Sequence, residues 1–343
     1  MSVRAHLAAG QVIPAMPLAL TSARTLDERR QRALLRYYVD AGAGGIAAGV
    51  HTTQFAIRER GLYEPVLALV ADAVRTWLAH GDRPFVRVAG VIGDTKQAVA
   101  EATIAARLGY DVALLSLAAL RDASEDELVA HCAAVCEVLP LFGFYLQPAV
   151  GGRPLSRAFW RSLAERVPRL WAVKIAPFNR YQTLDVIRGV AESGRDDVAF
   201  YTGNDDAIVS DLVTPVPTSR GTRTIVGGLL GQWAVWTHTA VTLHAEARAA
   251  RESGVVSASL LATGATLTDA NSAIFDSANG FAGCVPGIHE ILRRQGLLAG
   301  RWCLDPHEEL SAGQADEIDR VCRENPSLTD DVFVREHLDR WMA

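Results

Sequence analysis

Short, continuously apolar segments alternate with longer segments in which apolar residues recur every three or four positions. The apolar segments predict buried parallel strands at 12–20, 44–50, 85–92, 111–117, 141–147, 170–175, 198–202 and 224–228. The amphipathic segments predict helices at 25–40, 63–80, 95–108, 124–139, 156–166, 181–192, 205–212 and 233–251. Eight strand–helix units in this order predict an α/β fold, a closed (β/α)8 TIM barrel; a doubly wound open sheet is the main alternative.

The pattern changes after residue 252, where only helices are predicted, at about 257–277, 289–297 and 311–324. No internal repeat or Pro/Gly/Ser-rich linker divides the chain. We therefore expect a barrel domain at 1–252 and a C-terminal helical extension at 253–343 that packs on it.

Composition narrows the function. A net charge of −5 and the absence of a basic block argue against nucleic acid as a partner. No apolar run reaches membrane-spanning length and the N-terminus lacks a signal-peptide core, so a cytoplasmic protein without a membrane partner is expected. The five cysteines are odd in number and scattered, which favours reduced, structural thiols and no metal site.

Arginine dominates the basic residues: of 34, two are lysines, Lys96 and Lys174, and the rest are arginines. Arginine neither loses its proton near neutral pH nor forms an imine with a carbonyl, whereas lysine can do both. Lys96 lies in a polar turn and is expected to be solvated. Lys174 ends an apolar strand, where a charged amine is costly to bury unless it is paired or neutral. It is therefore a Schiff-base lysine, a lysine that reaches solvent, or half of an ion pair.

In a barrel of this type, catalytic residues lie at the C-terminal ends of the strands. The residues found at the predicted ends are His51, Thr52, Thr53, Tyr145, Lys174, Thr202, Gly203, Asn204, Asp205, Asp206, Gly227 and Gly228.

Three features of these strand ends bear on chemistry. Tyr145 and Lys174 end adjacent strands, so a phenol beside an amine is expected to shuttle protons. Two consecutive threonines, Thr52 and Thr53, offer hydroxyl and N–H groups to a carboxylate, although such pairs more commonly cap a helix or form a turn. The segment 204–206 (Asn-Asp-Asp) is interpreted as the acidic start of a helix rather than as a cation site.

These motifs resemble the dihydrodipicolinate synthase / N-acetylneuraminate lyase family of pyruvate-dependent class I aldolases. The resemblance runs from about residue 13 to about residue 324. His-Thr-Thr-Gln-Phe at 51–55 resembles the family's Gly-Thr-Thr-Gly-Glu element, and Tyr-Leu-Gln-Pro at 145–148 matches its Tyr-x-x-Pro element. Lys174 resembles the family's lysine on the sixth strand, and Thr-Gly-Asn-Asp at 202–205 is similar to its Ser-Gly-Asp-Asp element.

The resemblance implies a reaction that needs no cofactor. Lys174 would form an imine with pyruvate or a related 2-oxo acid, and an aldehyde would be the second reactant or product. Tyr145 would relay protons, and Thr52 and Thr53 would hold the carboxylate. His51, Gly203 and Gly227 would border the substrate. A homotetramer or homodimer is implied in the same way.

Several positions depart from the family pattern. The segment 114–120 lacks the expected tyrosine, Val150 stands where the family has an arginine, and His51 replaces a glycine. Dihydrodipicolinate synthesis is therefore not expected. The leading hypothesis is a Schiff-base lyase, a class I aldolase; the alternatives are a dehydratase or hydratase-aldolase using the same imine, and a 2-oxo-acid-binding barrel without turnover. His51 either replaces an acid/base group or only shapes the pocket, and the apolar segments suggest an uncharged, even aromatic, distal group.

Overall fold

The computed structural model describes residues 1–79 and 83–343. An eight-stranded parallel sheet forms its centre. The strands are β1 (Val12–Pro14), β2 (Gly45–Ala48), β3 (Val86–Val91), β4 (Val112–Leu115), β5 (Leu141–Leu146), β6 (Leu170–Ala176), β7 (Ala199–Thr202) and β10 (Ile225–Leu230). The first and last strands in the sheet order are β1 and β2. A parallel bridge between Ala15, directly after β1, and Ala47 of β2 joins them and closes the sheet into a barrel. This confirms the predicted (β/α)8 barrel.

Both faces of the sheet are buried. Because side chains alternate along a strand, one set points into the barrel and the other toward the helices. The inner set includes Ile13, Val88, Leu114, Phe142 and Tyr201. The outer set packs under the helices in a second, larger core that includes Ile46, Ala89, Leu115, Tyr145 and Val173. Two buried faces explain why the strand sequences are apolar throughout.

A helix follows each barrel strand. These helices are α2 (Glu28–Asp40), α3 (Tyr63–Trp77), α4 (Thr95–Arg107), α5 (Glu125–Val138), α6 (Arg157–Arg166), α7 (Arg180–Glu192), α8 (Ile208–Val213) and α9 (Thr237–Ser253). The predicted end of α3 at His80 lies outside the described residues. A short helix, α1 (Val3–Ala8), and an antiparallel hairpin of β8 (Val216–Thr218) and β9 (Gly221–Arg223) were not predicted.

Helix α2 begins later than its sequence suggested. Asp27, and not Thr25, caps it, because the Asp27 carboxylate accepts a hydrogen bond from the backbone N–H of Arg30 at 3.1 Å. The hydroxyl of Thr25 lies 2.7 Å from that of Thr21 instead. The helix predicted from residue 25 therefore begins three residues later, at Glu28, and the chain reaches it through a turn.

Four helices follow the barrel: α10 (Ala258–Ile274), α11 (Cys284–Arg294), α12 (Gln314–Glu324) and α13 (Asp331–Met342). The first three overlap the predicted helices, whereas α13 was not predicted. No helix within the described ranges is long and apolar enough to cross a membrane.

Helix α13 packs against α2, and the residue before it, Asp330, forms the polar centre of this contact. The carboxylate of Asp330 accepts hydrogen bonds from the hydroxyl of Tyr37 at 2.7 Å and from the backbone N–H of His238 at 2.6 Å. It also accepts from the N–H and the hydroxyl of Thr239, at 3.0 and 2.8 Å. One buried side chain therefore joins α2, α9 and the start of α13.

We predict that Asp330→Ala lowers the free energy of unfolding by about 3 kcal/mol or more, because each buried donor left without an acceptor costs about 1–3 kcal/mol. Urea unfolding followed by circular dichroism measures this change. Asp339→Ala is the control, since Asp339 is exposed on the same helix, and a change within about 0.5 kcal/mol is expected there. Equal effects of the two substitutions would contradict the role given to Asp330.

Candidate active site

A pocket opens at the C-terminal ends of the barrel strands, where barrel enzymes carry their active sites. Its volume is about 810 Å³, including the solvent-filled space at its entrance. Its polar lining consists of His51, Thr52, Ser116, Gln147, Lys174, Asp205 and Cys284. The remaining lining is aliphatic or aromatic, apart from the backbone of three glycines.

Lys174 points into this pocket from β6. Its Nζ lies 4.6 Å from the ring centroid of Phe144, the residue opposite it on β5. Within the described ranges, Nζ has no hydrogen bond and no ion pair shorter than 4 Å. Burial lowers the pKa of Lys174 to about 8, and the more distant carboxylate of Asp205 partly opposes that shift. The amine therefore has a much larger neutral fraction near neutral pH than an ordinary lysine, and the neutral form is the nucleophile.

Gly203 makes room for the lysine. A Cβ at this position would lie 2.5 Å from Cε of Lys174 and 2.7 Å from Cβ of Ala176. Any other residue would force the aliphatic part of the Lys174 side chain to move. Gly203 borders the pocket at the end of β7, next to the sixth strand, and so shapes the path of the amine.

Asp205 also lines the pocket, which corrects its assignment to a helix start. Helix α8 begins only at Ile208 and has no side-chain cap. The carboxylate of Asp205 instead accepts a hydrogen bond from the backbone N–H of Gln232 at 3.0 Å. Burial raises the pKa of Asp205, against the opposing effects of that hydrogen bond and of the Lys174 charge. The pocket thus contains a carboxyl group that binds its proton unusually tightly.

Tyr145 does not lie beside Lys174. The pairing of β5 with β6 sets Phe144 opposite Lys174 and Tyr145 opposite Ile175. Because neighbouring residues point to opposite faces, Tyr145 faces the helices. There its hydroxyl accepts a hydrogen bond from the backbone N–H of Leu155 at 3.1 Å. The prediction that Tyr145 relays protons to Lys174 is therefore wrong, and no tyrosine of the described chain lines the pocket.

Thr52 and Thr53 lie in a short 3-10 turn after β2 (His51–Thr53). The hydroxyl of Thr52 donates to the carbonyl of Ala15 at 2.8 Å, and that of Thr53 donates to the carbonyl of Met16 at 2.7 Å. Thr52 borders the pocket, whereas Thr53 lies behind the lining. Both hydroxyl protons thus tie the turn to the end of β1, and neither is free for a carboxylate.

His51 forms part of the pocket wall. Its ring lies 5.9 Å from that of Phe55, centroid to centroid. Burial, helped by the positive charge of Lys174, lowers the pKa of His51 to about 4. The imidazole is therefore neutral at physiological pH. It can take part in hydrogen bonds, but it is a weak base.

Gly227 lies outside the pocket, contrary to expectation. A Cβ there would come within 2.5 and 2.6 Å of backbone atoms of Gln11, which precedes β1, so Gly227 lies at the opposite end of the barrel. Gly231, directly after β10, borders the pocket in its place. The predicted strand ended at residue 228, which is why the wrong glycine was chosen.

Three lining residues come from the end of α10, the loop after it and the start of α11, and were not predicted: Phe275, Phe281 and Cys284. The stretch 276–283 (Asp-Ser-Ala-Asn-Gly-Phe-Ala-Gly) interrupts the helical pattern, and a phenylalanine alone in such a loop is a signal that could have been noticed. Asp205 had a comparable signal, a carboxylate two residues after a strand-end glycine.

No protein-family model matches the sequence, and no curated protein matches it. Solved structures do match its fold. A dihydrodipicolinate synthase aligns over 93% of this chain and 99% of its own, with a TM-score of 0.74 and 19% identity. YagE, an Escherichia coli K12 prophage protein of the dihydrodipicolinic acid synthase family solved with pyruvate, aligns over 92% of this chain and 98% of its own, with a TM-score of 0.74 and 18% identity. N-acetylneuraminate lyase from Fusobacterium nucleatum has the same coverage, with a TM-score of 0.72 and 16% identity. At these identities the comparison establishes the fold.

We predict that Asp205→Asn lowers the pKa of Lys174. Above the pKa of Asp205, which is raised to about 7, the carboxylate is ionised, and the substitution removes the negative charge that stabilises the ammonium form. Reductive methylation at increasing pH, read by mass spectrometry, follows the chain's two lysines separately. The rate at Lys174 is expected to rise through about pH 8 in the unaltered protein and at lower pH in the variant.

Asp206→Asn is the matched control, since Asp206 is the exposed neighbour of Asp205, and the exposed Lys96 is the internal reference. An unchanged Lys174 profile in Asp205→Asn would mean that the two groups do not interact.

Proposed function

We propose that this chain is a member of the dihydrodipicolinate synthase / N-acetylneuraminate lyase family and acts as a Schiff-base lyase on a 2-oxo acid. The observation that carries the proposal is Lys174, a lysine with a lowered pKa that points into an apolar pocket at the end of a barrel strand. The shared fold and the strand-end motifs support the family. The fold alone does not fix the chemistry, since barrels host many reactions.

The proposed reaction begins when the neutral amine of Lys174 attacks the keto carbon of pyruvate or a related 2-oxo acid. Loss of water gives an imine, which withdraws electrons from the neighbouring carbon. That carbon then loses a proton to give an enamine, which attacks the carbonyl carbon of an aldehyde. Hydrolysis releases a 4-hydroxy-2-oxo acid and restores Lys174; in reverse, the same steps cleave the C–C bond.

Proton transfer falls to Asp205 in this proposal, with His51 as a hydrogen-bonding neighbour, because the described pocket contains no tyrosine. The raised pKa of Asp205 lets it hold a proton for a leaving hydroxyl or a forming alkoxide. The lowered pKa of His51 keeps its imidazole neutral, so that it contributes a hydrogen bond rather than a proton transfer. Neither group is the phenol on which dihydrodipicolinate synthesis would depend in the resemblance, so that activity is not proposed.

The substrate carboxylate is assigned to the turn at 51–53 and to Ser116. The threonine hydroxyls in that turn already donate to backbone carbonyls, so any contribution of Thr52 would come through its backbone N–H. Ser116, just after β4, lines the pocket and offers a hydroxyl. Assembly as a homodimer or homotetramer belongs to the same proposal.

A dehydratase or hydratase-aldolase that uses the same imine is the second candidate. The tightly held proton of Asp205 favours it, because the enamine at C2–C3 expels a 4-hydroxy group as water only when an acid protonates that group. Product analysis separates the two reactions: pyruvate release indicates a lyase, and loss of water with an intact carbon chain indicates a dehydratase. A barrel that binds 2-oxo acids without turnover would give neither product.

We predict that incubation with pyruvate and borohydride attaches reduced pyruvate to Lys174, detected by intact mass and peptide mapping. Lys174→Arg is expected to abolish the adduct, because arginine keeps the charge but forms no imine. Lys96→Arg, the matched control, is expected to retain it, since Lys96 is exposed and is not a lining residue. A folded protein that gives no adduct with pyruvate or with longer 2-oxo acids would overturn the proposed function.

A further inference from the structure

Phenylalanine is concentrated in the pocket. The chain has 10 phenylalanines, and five of them line this one cavity: Phe55, Phe144, Phe178, Phe275 and Phe281. Phe55, Phe144 and Phe178 follow or lie on barrel strands, whereas Phe275 and Phe281 lie between α10 and α11. These five side chains, here called the aromatic wall, come from five separate places in the sequence. Packing of the barrel strands alone does not explain why they meet at one pocket.

The charges in the pocket are few. Of the described residues, Lys174 and Asp205 supply the charged groups of the lining, and no arginine contributes. Arg153, close in sequence to the fifth strand, donates to the backbone carbonyls of Leu120 and Ala123 instead. With Lys174 used in the imine, a second carboxylate or a phosphate on the other reactant would find no cation and would face Asp205. The distal part of the pocket therefore suits an uncharged group.

Two of the five rings are held in a conformation that phenylalanine rarely adopts. Phe178 has φ of +54° and Phe281 has φ of +70°, in the left-handed region that favours glycine. Their rings meet edge to face, with centroids 5.9 Å apart. Strain of this kind persists only where the surrounding structure enforces it, and it clusters at binding sites.

Hydrogen bonds enforce both positions. The backbone N–H of Phe178 donates to the side-chain carbonyl of Asn204 at 3.0 Å. The backbone N–H of Phe281 donates to the carbonyl of Asp276 at 3.0 Å, and the buried Asp276 carboxylate accepts from the hydroxyl of Ser311 at 2.5 Å. The two rings are therefore preorganised at the pocket rather than pushed there by chance packing.

We propose that the second reactant of this site is an aromatic aldehyde whose ring packs among Phe178, Phe281 and their neighbours. This inference rests on the proposed function, since it names the partner of the 2-oxo acid bound at Lys174. In the condensation, the enamine carbon of pyruvate bonds to the aldehyde carbon, and the aldehyde oxygen takes a proton. Hydrolysis of the imine then gives a 4-aryl-4-hydroxy-2-oxobutanoate, with no oxidant or reductant required.

The test compares three aldehydes at saturating pyruvate: benzaldehyde, hexanal and glyceraldehyde. Pyruvate consumption gives kcat/KM for each. Benzaldehyde is expected to exceed glyceraldehyde by at least about tenfold and also to exceed hexanal, because aromatic pairs add about 0.5–1.5 kcal/mol beyond the burial of apolar area.

The Phe281→Ala variant tests the aromatic wall directly. It is expected to lower kcat/KM for benzaldehyde by about tenfold while leaving borohydride trapping of pyruvate at Lys174 unchanged. Phe281 is only partly buried, so the variant is expected to fold. Tyr181→Ala is the matched control: it removes an aromatic ring that is 83% exposed and outside the lining, and it should leave both readouts unchanged.

Borohydride trapping of pyruvate on Lys174 tests the Schiff base independently of the aldehyde. If pyruvate is trapped on Lys174 but glyceraldehyde or hexanal is preferred, or no aldehyde reacts, the aromatic partner is wrong and the Schiff base stands. The inference also fails if Phe281→Ala and Tyr181→Ala behave alike. If nothing is trapped on Lys174 in the folded protein, the proposed function falls and the inference falls with it.

Discussion

The two-residue alternation of side chains along parallel strands decides which chemistry this barrel can contain. On β6 it turns Lys174 inward, and on β5 it turns Phe144 inward and Tyr145 outward. A shift of one residue in either strand would exchange an amine for an isoleucine or a phenylalanine for a phenol. The cavity is apolar because of this register, and the apolar cavity lowers the pKa of the lysine. Fold, pocket and reactivity therefore share one geometric cause.

The fold was predictable because its signal is repeated. Each of the eight strands and of the helices between them has a hydrophobic pattern that shows which of its faces is buried. Strand order in a barrel follows chain order, so the arrangement of the strands needs no further information. The predicted start of α5 at residue 124 was accurate, because Ser124 and Glu127 cap this helix reciprocally and the cap needs no distant partner. The hairpin of β8 and β9 and the helix α13 were missed because the hairpin is short and α13 owes its place to contacts with distant α2.

The site was predictable only in part. Lys174 stood out by rarity and Gly203 by its place after a strand, but the inward or outward direction of Tyr145 depended on a pairing register that the sequence does not display. Gly227 failed for a similar reason, an error of two residues at a strand end. The aromatic wall needs Phe275 and Phe281, which reach the barrel only through tertiary packing of later helices. The hydrophobic periodicity of these helices does not show where on the barrel they pack.

The contact between α2 and α13 has a consequence for synthesis of the protein. Tyr37 on α2 precedes its partner Asp330 by 293 positions. At a ribosomal rate of roughly 5–20 residues per second, the matching surface of α2 stays uncovered for roughly 15–60 seconds. Through that interval an apolar helix face and a phenol without its acceptor are open to water and to other nascent chains. Until α13 has been made, this face is therefore a place where incomplete chains can associate.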